Sequence, residues 1–159
     1  MGAPGVERLV GITIDDDALA PASADAEHER RVAIHDLLAE NRFAPIGVDR
    51  GPYLLHIGMQ HGRLALAVQD EGGGEVVTHL LSLTPFRRVL DDYFLICESH
   101  YAAIRTASPA QIEAIDMGRR GLHNEAAQLL IDRLAGKIVL DFDTARRLFT
   151  LLVALHWRA

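Results

Sequence analysis

Residues Tyr53 to Asp70 read "YLLHIGMQHGRLALAVQD", and the alternation in this stretch decides the fold. Tyr53, Leu55, Ile57 and Met59 recur every second position, as do Leu64, Leu66 and Val68 after "HG" at 61 and 62. A strand sends successive side chains to opposite faces, and a Gly-containing pair between two such runs marks a tight hairpin turn. Going outward, "DEGGGE" is a second turn and Val76 to Leu83 a further strand, giving a three-stranded antiparallel meander. Leu9 to Asp15 is a short strand free to join it.

Helical spacing governs most of the rest. A first helix is expected from about Asp25 to Asn41, with Ile34, Leu37 and Leu38 as its apolar stripe. Glu27 is spaced to pair with Arg30 and Arg31 on it. "FAPIGVDRGP" ends that helix. Thr84 before Pro85 starts a second helix to about Arg105, and Ser108, Pro109 and Gln111 start a third with a capping box. The third is expected to reach Ala135, with Gly136 as its stop. Ile138 to Leu140 is read as a short strand, and Asp143 as the cap of a last helix to Trp157. The expected fold is α+β: an antiparallel sheet of three to four strands, packed by about four helices concentrated in the C-terminal half, in one domain over residues 1–159.

Charge and composition narrow the function classes. The chain has a net charge of −6, and Lys137 is its only lysine, so it lacks the basic surface that phosphate backbones require and nucleic acid is not an expected partner. Cys97 is the only cysteine, which allows no internal disulfide. "MGAPGVERLVGITIDDD" has neither a basic start nor a long apolar run. The most apolar stretch, "LFTLLVALHW", is about half of what a membrane span needs. A soluble, cytoplasmic protein with no membrane partner is expected.

The strings "LSLTPFRR" (81–88), "DYFLICESHYAAIR" (92–105) and "QIEAIDMGRRGLHNE" (111–125), with the ending "LHWR", resemble an uncharacterised bacterial family of small proteins, family 0262. The resemblance runs from "EHER" at 27–30 onward. It implies no activity, cofactor or partner, so the chemistry has to come from the residues.

One stretch stands out chemically. On the third helix Ile112, Ile115, Leu122, Ala126, Leu129 and Leu130 form the apolar stripe, and Arg119 falls within it with His123 beside it. A buried unpaired guanidinium costs several kcal/mol, of the order of ~3–5. Either the helix breaks at Gly118 to Gly121, or Arg119 meets a partner, for which Asp116 is spaced at i,i+3. Arg120 sits at the polar edge, with only weak contact to Asp116 expected. The second helix turns His100 toward its apolar face, and the last helix turns His156 inward. Three inward histidines lack any short-range ligand motif, so no metal site is expected. Arg87 with Asp91 and Arg88 with Asp92 read as a solvated ion-pair row, and Cys97 as an inert thiol.

Two functions from different classes follow. The first is a non-catalytic interaction or regulatory protein that forms homo-oligomers, with Val153 and Trp157 of the last helix available to another chain. The second is a small-molecule or anion-binding enzyme, a hydrolase or group-transfer catalyst. Its site would use Arg119 as anion clamp, His123 and His100 as acid and base, and Asp116 and Arg120 beside them. No cofactor is named by any motif.

Overall fold

The computed structural model describes residues 6–18 and 24–155. Six strands and four α-helices lie among them: β1 (Leu9–Ile14), α1 (Ala24–Ala39), β2 (Phe43–Pro45), β3 (Tyr53–Gln60), β4 (Arg63–Asp70), β5 (Glu75–Leu81), α2 (Arg87–Thr106), α3 (Pro109–Leu134), β6 (Ile138–Leu140) and α4 (Phe142–Leu155). The fold is α+β, as the patterning predicts.

The hairpin forms where the alternation places it. His61 and Gly62 both have positive φ, 52° and 74°, the conformation a two-residue hairpin loop demands. Gln60 pairs with Arg63 across the turn, and Leu55, Ile57, Leu64, Leu66 and Val68 are buried on one face. At the second turn, Asp70 accepts the Gly74 N–H at 2.8 Å. β4 and β5 then pair antiparallel, completing the meander.

The sheet as a whole is mixed. Its order is β1-β3-β4-β5, and β1 runs parallel to β3, with Thr13 opposite His56 and Ile14 opposite Ile57. Two parallel neighbours need a crossover between them, and α1 with β2 supplies it. β2 and β6 form a separate antiparallel pair, Phe43 against Leu140. The stretch read as a helix-ending loop therefore begins with a strand.

Three helix starts show how local signals fare. The Ser108 capping box forms as expected, with the Ser108 side chain on the Gln111 N–H and the Gln111 side chain on the Ser108 N–H. Thr84 does not cap α2. Residues Thr84–Phe86 form a 3₁₀ turn that runs into the helix, with no side-chain cap. Asp141, not Asp143, caps α4, its Oδ1 accepting the Thr144 N–H at 2.9 Å. This frees Thr144, which is buried, to accept the Arg42 N–H at 2.9 Å through its Oγ1.

α4 is the central helix. Leu148, Phe149, Leu152 and Leu155 are buried as the stripe predicts, and so are Leu151, Val153 and Ala154. It packs against both α1 and α3. Val153 thus belongs to the core and is not available to another chain, while His156 and Trp157 lie outside the described residues.

α2 and α3 form an antiparallel hairpin, and their stripes explain the site. From Phe86 the α2 stripe runs through Leu90, Tyr93, Cys97, His100 and Ile104 at alternating steps of four and three. Phe86, Leu90 and Tyr93 are buried, Cys97 and His100 half-buried, and Ile104 is 58% exposed. α3 mirrors this: Leu134, Leu130 and Ala127 are buried, whereas His123, Arg119, Asp116 and Ile112 are half-buried. The hairpin outruns the core, and the polar residues occupy the margin.

Candidate functional site

Arg119 sits in the apolar stripe because the stripe has already reached water there. α3 continues unbroken through Gly118 to Gly121. A Cβ on Gly118 would lie 2.8 Å from Ile96 Cδ1, so its absence lets the α2 side chain come close, whereas Gly121 faces open space. Gly118 thus answers to packing, and neither glycine marks a bend.

The approach assembles a cluster around Asp116. Arg119 donates to Asp116 Oδ1 from Nε at 3.1 Å and from Nη2 at 2.6 Å. Arg120 Nη2 reaches Asp116 Oδ2 at 2.7 Å, so its contact is close and not the weak one its wheel position suggests. His100 Nε2 lies 3.9 Å from Asp116 Oδ1. The Arg119 guanidinium, above all by hydrogen bonding, holds the Asp116 carboxyl below the usual carboxylate range, against a smaller opposing effect of burial. Asp116 in turn keeps Arg119 more firmly protonated.

His123 does not join this cluster. Its Nε2 lies 2.8 Å from the Arg146 carbonyl of α4, which can only accept, so Nε2 carries the proton. The Thr150 hydroxyl, 3.1 Å from Nε2, donates to the same carbonyl. Tyr93 and Phe149 flank the ring, with centroids 5.7 and 5.8 Å away. Burial pushes the His123 pKa below its ordinary value, against the pull of the Arg146 carbonyl. Burial likewise pushes the Cys97 thiol up, so it is held protonated.

The structure therefore unites His100, Asp116, Arg119 and Arg120 and sends His123 to α4. No group of three or more His, Cys, Asp or Glu among the described residues could hold a metal ion. Of the expected row on α2, Arg88 pairs with Asp92 at 3.0 Å and also with Glu125 of α3, tying the two helices together.

A second polar chain escapes sequence reasoning. On the solvent side of the sheet, Thr13 Oγ1 lies 2.6 Å from His56 Nδ1, and His56 Nε2 lies 2.9 Å from Asp15 Oδ1. Both ring nitrogens are engaged, and the chain ties β1 to β3. The T-x-D spacing of residues 13 and 15 puts both side chains on one strand face, but only the parallel register brings His56 opposite them.

The family model described as "Uncharacterised protein family (UPF0262)" matches residues 6–158. The chain belongs to the UPF0262 family. A UPF0262 protein of Azorhizobium caulinodans is 61% identical over 157 residues, covering 98% of this chain and 97% of the relative. One from Rhizobium etli is 59% identical over 156 residues, 98% and 99% of the two chains. One from Xanthobacter autotrophicus is 60% identical over 152 residues, 95% and 93%. No solved structure matches. No helix among the described residues is long and apolar enough to cross a membrane.

Proposed function

We propose that this UPF0262 protein is a non-catalytic interaction protein of the cytoplasm whose working surface is the distal half of the α2–α3 hairpin, and that the partner there is a second copy of the chain. The carrying observation is the pair of large apolar side chains that the α2 stripe carries beyond the core. Tyr101 is 68% exposed and Ile104 58%, on the side of α2 where Leu90 and Tyr93 are buried nearer the core. An apolar stripe at steps of three and four is stabilised by another helix laid along it.

Charge favours a copy of the same chain. Residues 94–120 carry three carboxylates (Glu98, Glu113, Asp116) against three arginines (Arg105, Arg119, Arg120), in a chain whose net charge is −6. The repulsion that two acidic chains feel is absent on this face, and mixed signs on one patch suit a two-fold contact, where each patch meets itself. Two antiparallel hairpins then close a four-helix arrangement, with the Asp116 cluster at its seam fixing register. Arg119 already turns Nε and Nη2 to Asp116, and His123 is bonded to Arg146, so we rank the anion-clamp enzyme second. The single, half-buried Cys97 accords with a reducing compartment.

Sedimentation equilibrium tests the reading. The parent is expected to run as a dimer and the Tyr101→Glu/Ile104→Glu double variant as a folded monomer. A monomeric parent, or a variant that stays dimeric, overturns it.

A further inference from the structure

We infer that the open edge of β1, with the groove between it and α1, binds an extended acidic peptide as an added strand. The inference does not rest on the α2–α3 face, and the two surfaces lie on different elements.

β1 ends the sheet, and among the described residues no strand lies on its side away from β3. At Leu9 that side is covered, because Asn41 accepts the Leu9 N–H at 2.7 Å and donates to its carbonyl at 3.1 Å. Further along, the Asp15 N–H donates to Ile57 O, which fixes the residues facing β3. Strand residues alternate, so the Ile12 and Ile14 peptide groups turn outward. A row of outward N–H and C=O groups is a template for an incoming strand.

Beside this edge lies a cavity of about 280 Å³ lined by Ile14, Ile34, Glu27, Arg30 and Arg31. Its walls combine two apolar side chains with two guanidiniums and one carboxylate, Glu27, which leaves a net positive charge. Glu27 is spaced to pair with either arginine, yet among the described residues neither Arg30 nor Arg31 forms an ion pair. Arg30 Nε is buried with no acceptor among the described residues. A buried donor without an acceptor is costly, and a carboxylate meets a guanidinium with paired hydrogen bonds. The edge therefore supplies backbone pairing, Ile14 and Ile34 an apolar contact, and the arginines a charge requirement. An extended chain with an apolar residue and a glutamate or aspartate side chain meets all three at once.

The probe is an acetylated, amidated peptide alternating valine and glutamate, titrated against the full chain by calorimetry. Three controls accompany it: the same peptide with glutamine for glutamate, the same peptide with N-methylated backbone amides, and inorganic phosphate alone. Saturable binding of the glutamate peptide is expected. The glutamine peptide, and the Arg30→Gln/Arg31→Gln variant against the glutamate peptide, should each bind about tenfold or more weakly. The N-methylated peptide should lose binding, which tests strand addition without altering the protein. Absence of binding overturns the inference, as does undiminished binding of the N-methylated peptide. So does phosphate competing at equal affinity, which would leave an anion pocket without a strand. Tyr101→Glu/Ile104→Glu should bind the peptide as the parent does, which separates this result from self-association.

Discussion

Two arginine doublets on helices, Arg119–Arg120 on α3 and Arg30–Arg31 on α1, look alike as sequence and differ as chemistry. The first is bound to a single carboxylate, Asp116, within the same helix. The second has Glu27 at the same spacings, and among the described residues it forms no ion pair with it. The difference lies in what surrounds each pair. Asp116 is only 18% exposed and is flanked by His100 of α2, so its geometry is held by a packed neighbour. Glu27 is exposed at the rim of the cavity beside β1, where no packed neighbour repays the entropy of fixing two long side chains. Spacing permits an ion pair, and packing decides whether it forms.

The largest expected contrast is in stability. Arg119→Ala should lower the urea-unfolding free energy by about 1 kcal/mol, a charged hydrogen-bonded pair trimmed by solvent screening. Arg30→Ala removes a donor that has no acceptor among the described residues, so it should cost much less or nothing. Equal losses from the two would break the comparison and place Arg30 in a structural pair of its own.

The pH profile separates the cluster from its neighbour on α4. Asp116 has its folded pKa below 3.8, so its contribution is present above 3.8 and lost as pH falls through the lowered value. Asp70, held low first by Arg50, fades in the same acid range, and Arg119→Ala should remove most of the Asp116 share while Arg120 keeps the rest. His123 has its folded pKa below 6.5, so its neutral form supports the fold above 6.5 and that support is lost as pH falls below it. His79, pushed down by burial and then by Lys137, acts in the same direction. Urea unfolding at stepped pH should show the parent losing stability as pH falls through the histidine window. His123→Gln should lose less, and Arg119→Ala as much as the parent. A parent that stays flat below 6.5 would sink the account of His123.

What the sequence made legible is what local chemistry determines. The hairpin at His61–Gly62 and the Ser108 capping box need only their own few residues, and both form. The wheel placed Arg119 inward and named Asp116, because both belong to one helix. Everything that needed a second element was hidden. The parallel β1–β3 pairing depends on a crossover, and with it the Thr13–His56–Asp15 chain. The departure of His123 depends on the Arg146 carbonyl of α4, which no spacing within α3 reveals. At the start of α4, Asp143 is the cap expected from the sequence and Asp141 the one observed, and the tertiary bond from the Arg42 N–H to Thr144 accompanies the difference.

The smallest expected effect bears on why only one doublet is bracketed by glycines, "GRRG" at 118–121 against "ERRV" at 29–32. Replacing a solvent-facing helical glycine by alanine gains about 0.5–1 kcal/mol, because the chain loses less freedom on folding. Gly121 has nothing within 4 Å of a built Cβ, so Gly121→Ala should raise stability by that amount. At Gly118 the added carbon would meet Ile96 Cδ1 at 2.8 Å, the far end of a flexible side chain. Ile96 must turn away, and the propensity gain should be largely cancelled. Thermal or urea unfolding of the two variants then ranks Gly121→Ala above a Gly118→Ala protein close to the parent. Equal stabilisation would mean that α2 does not crowd α3 at Gly118. In that case the register that brings His100 toward Asp116 would fail, and with it the packing that distinguishes Arg119–Arg120 from Arg30–Arg31.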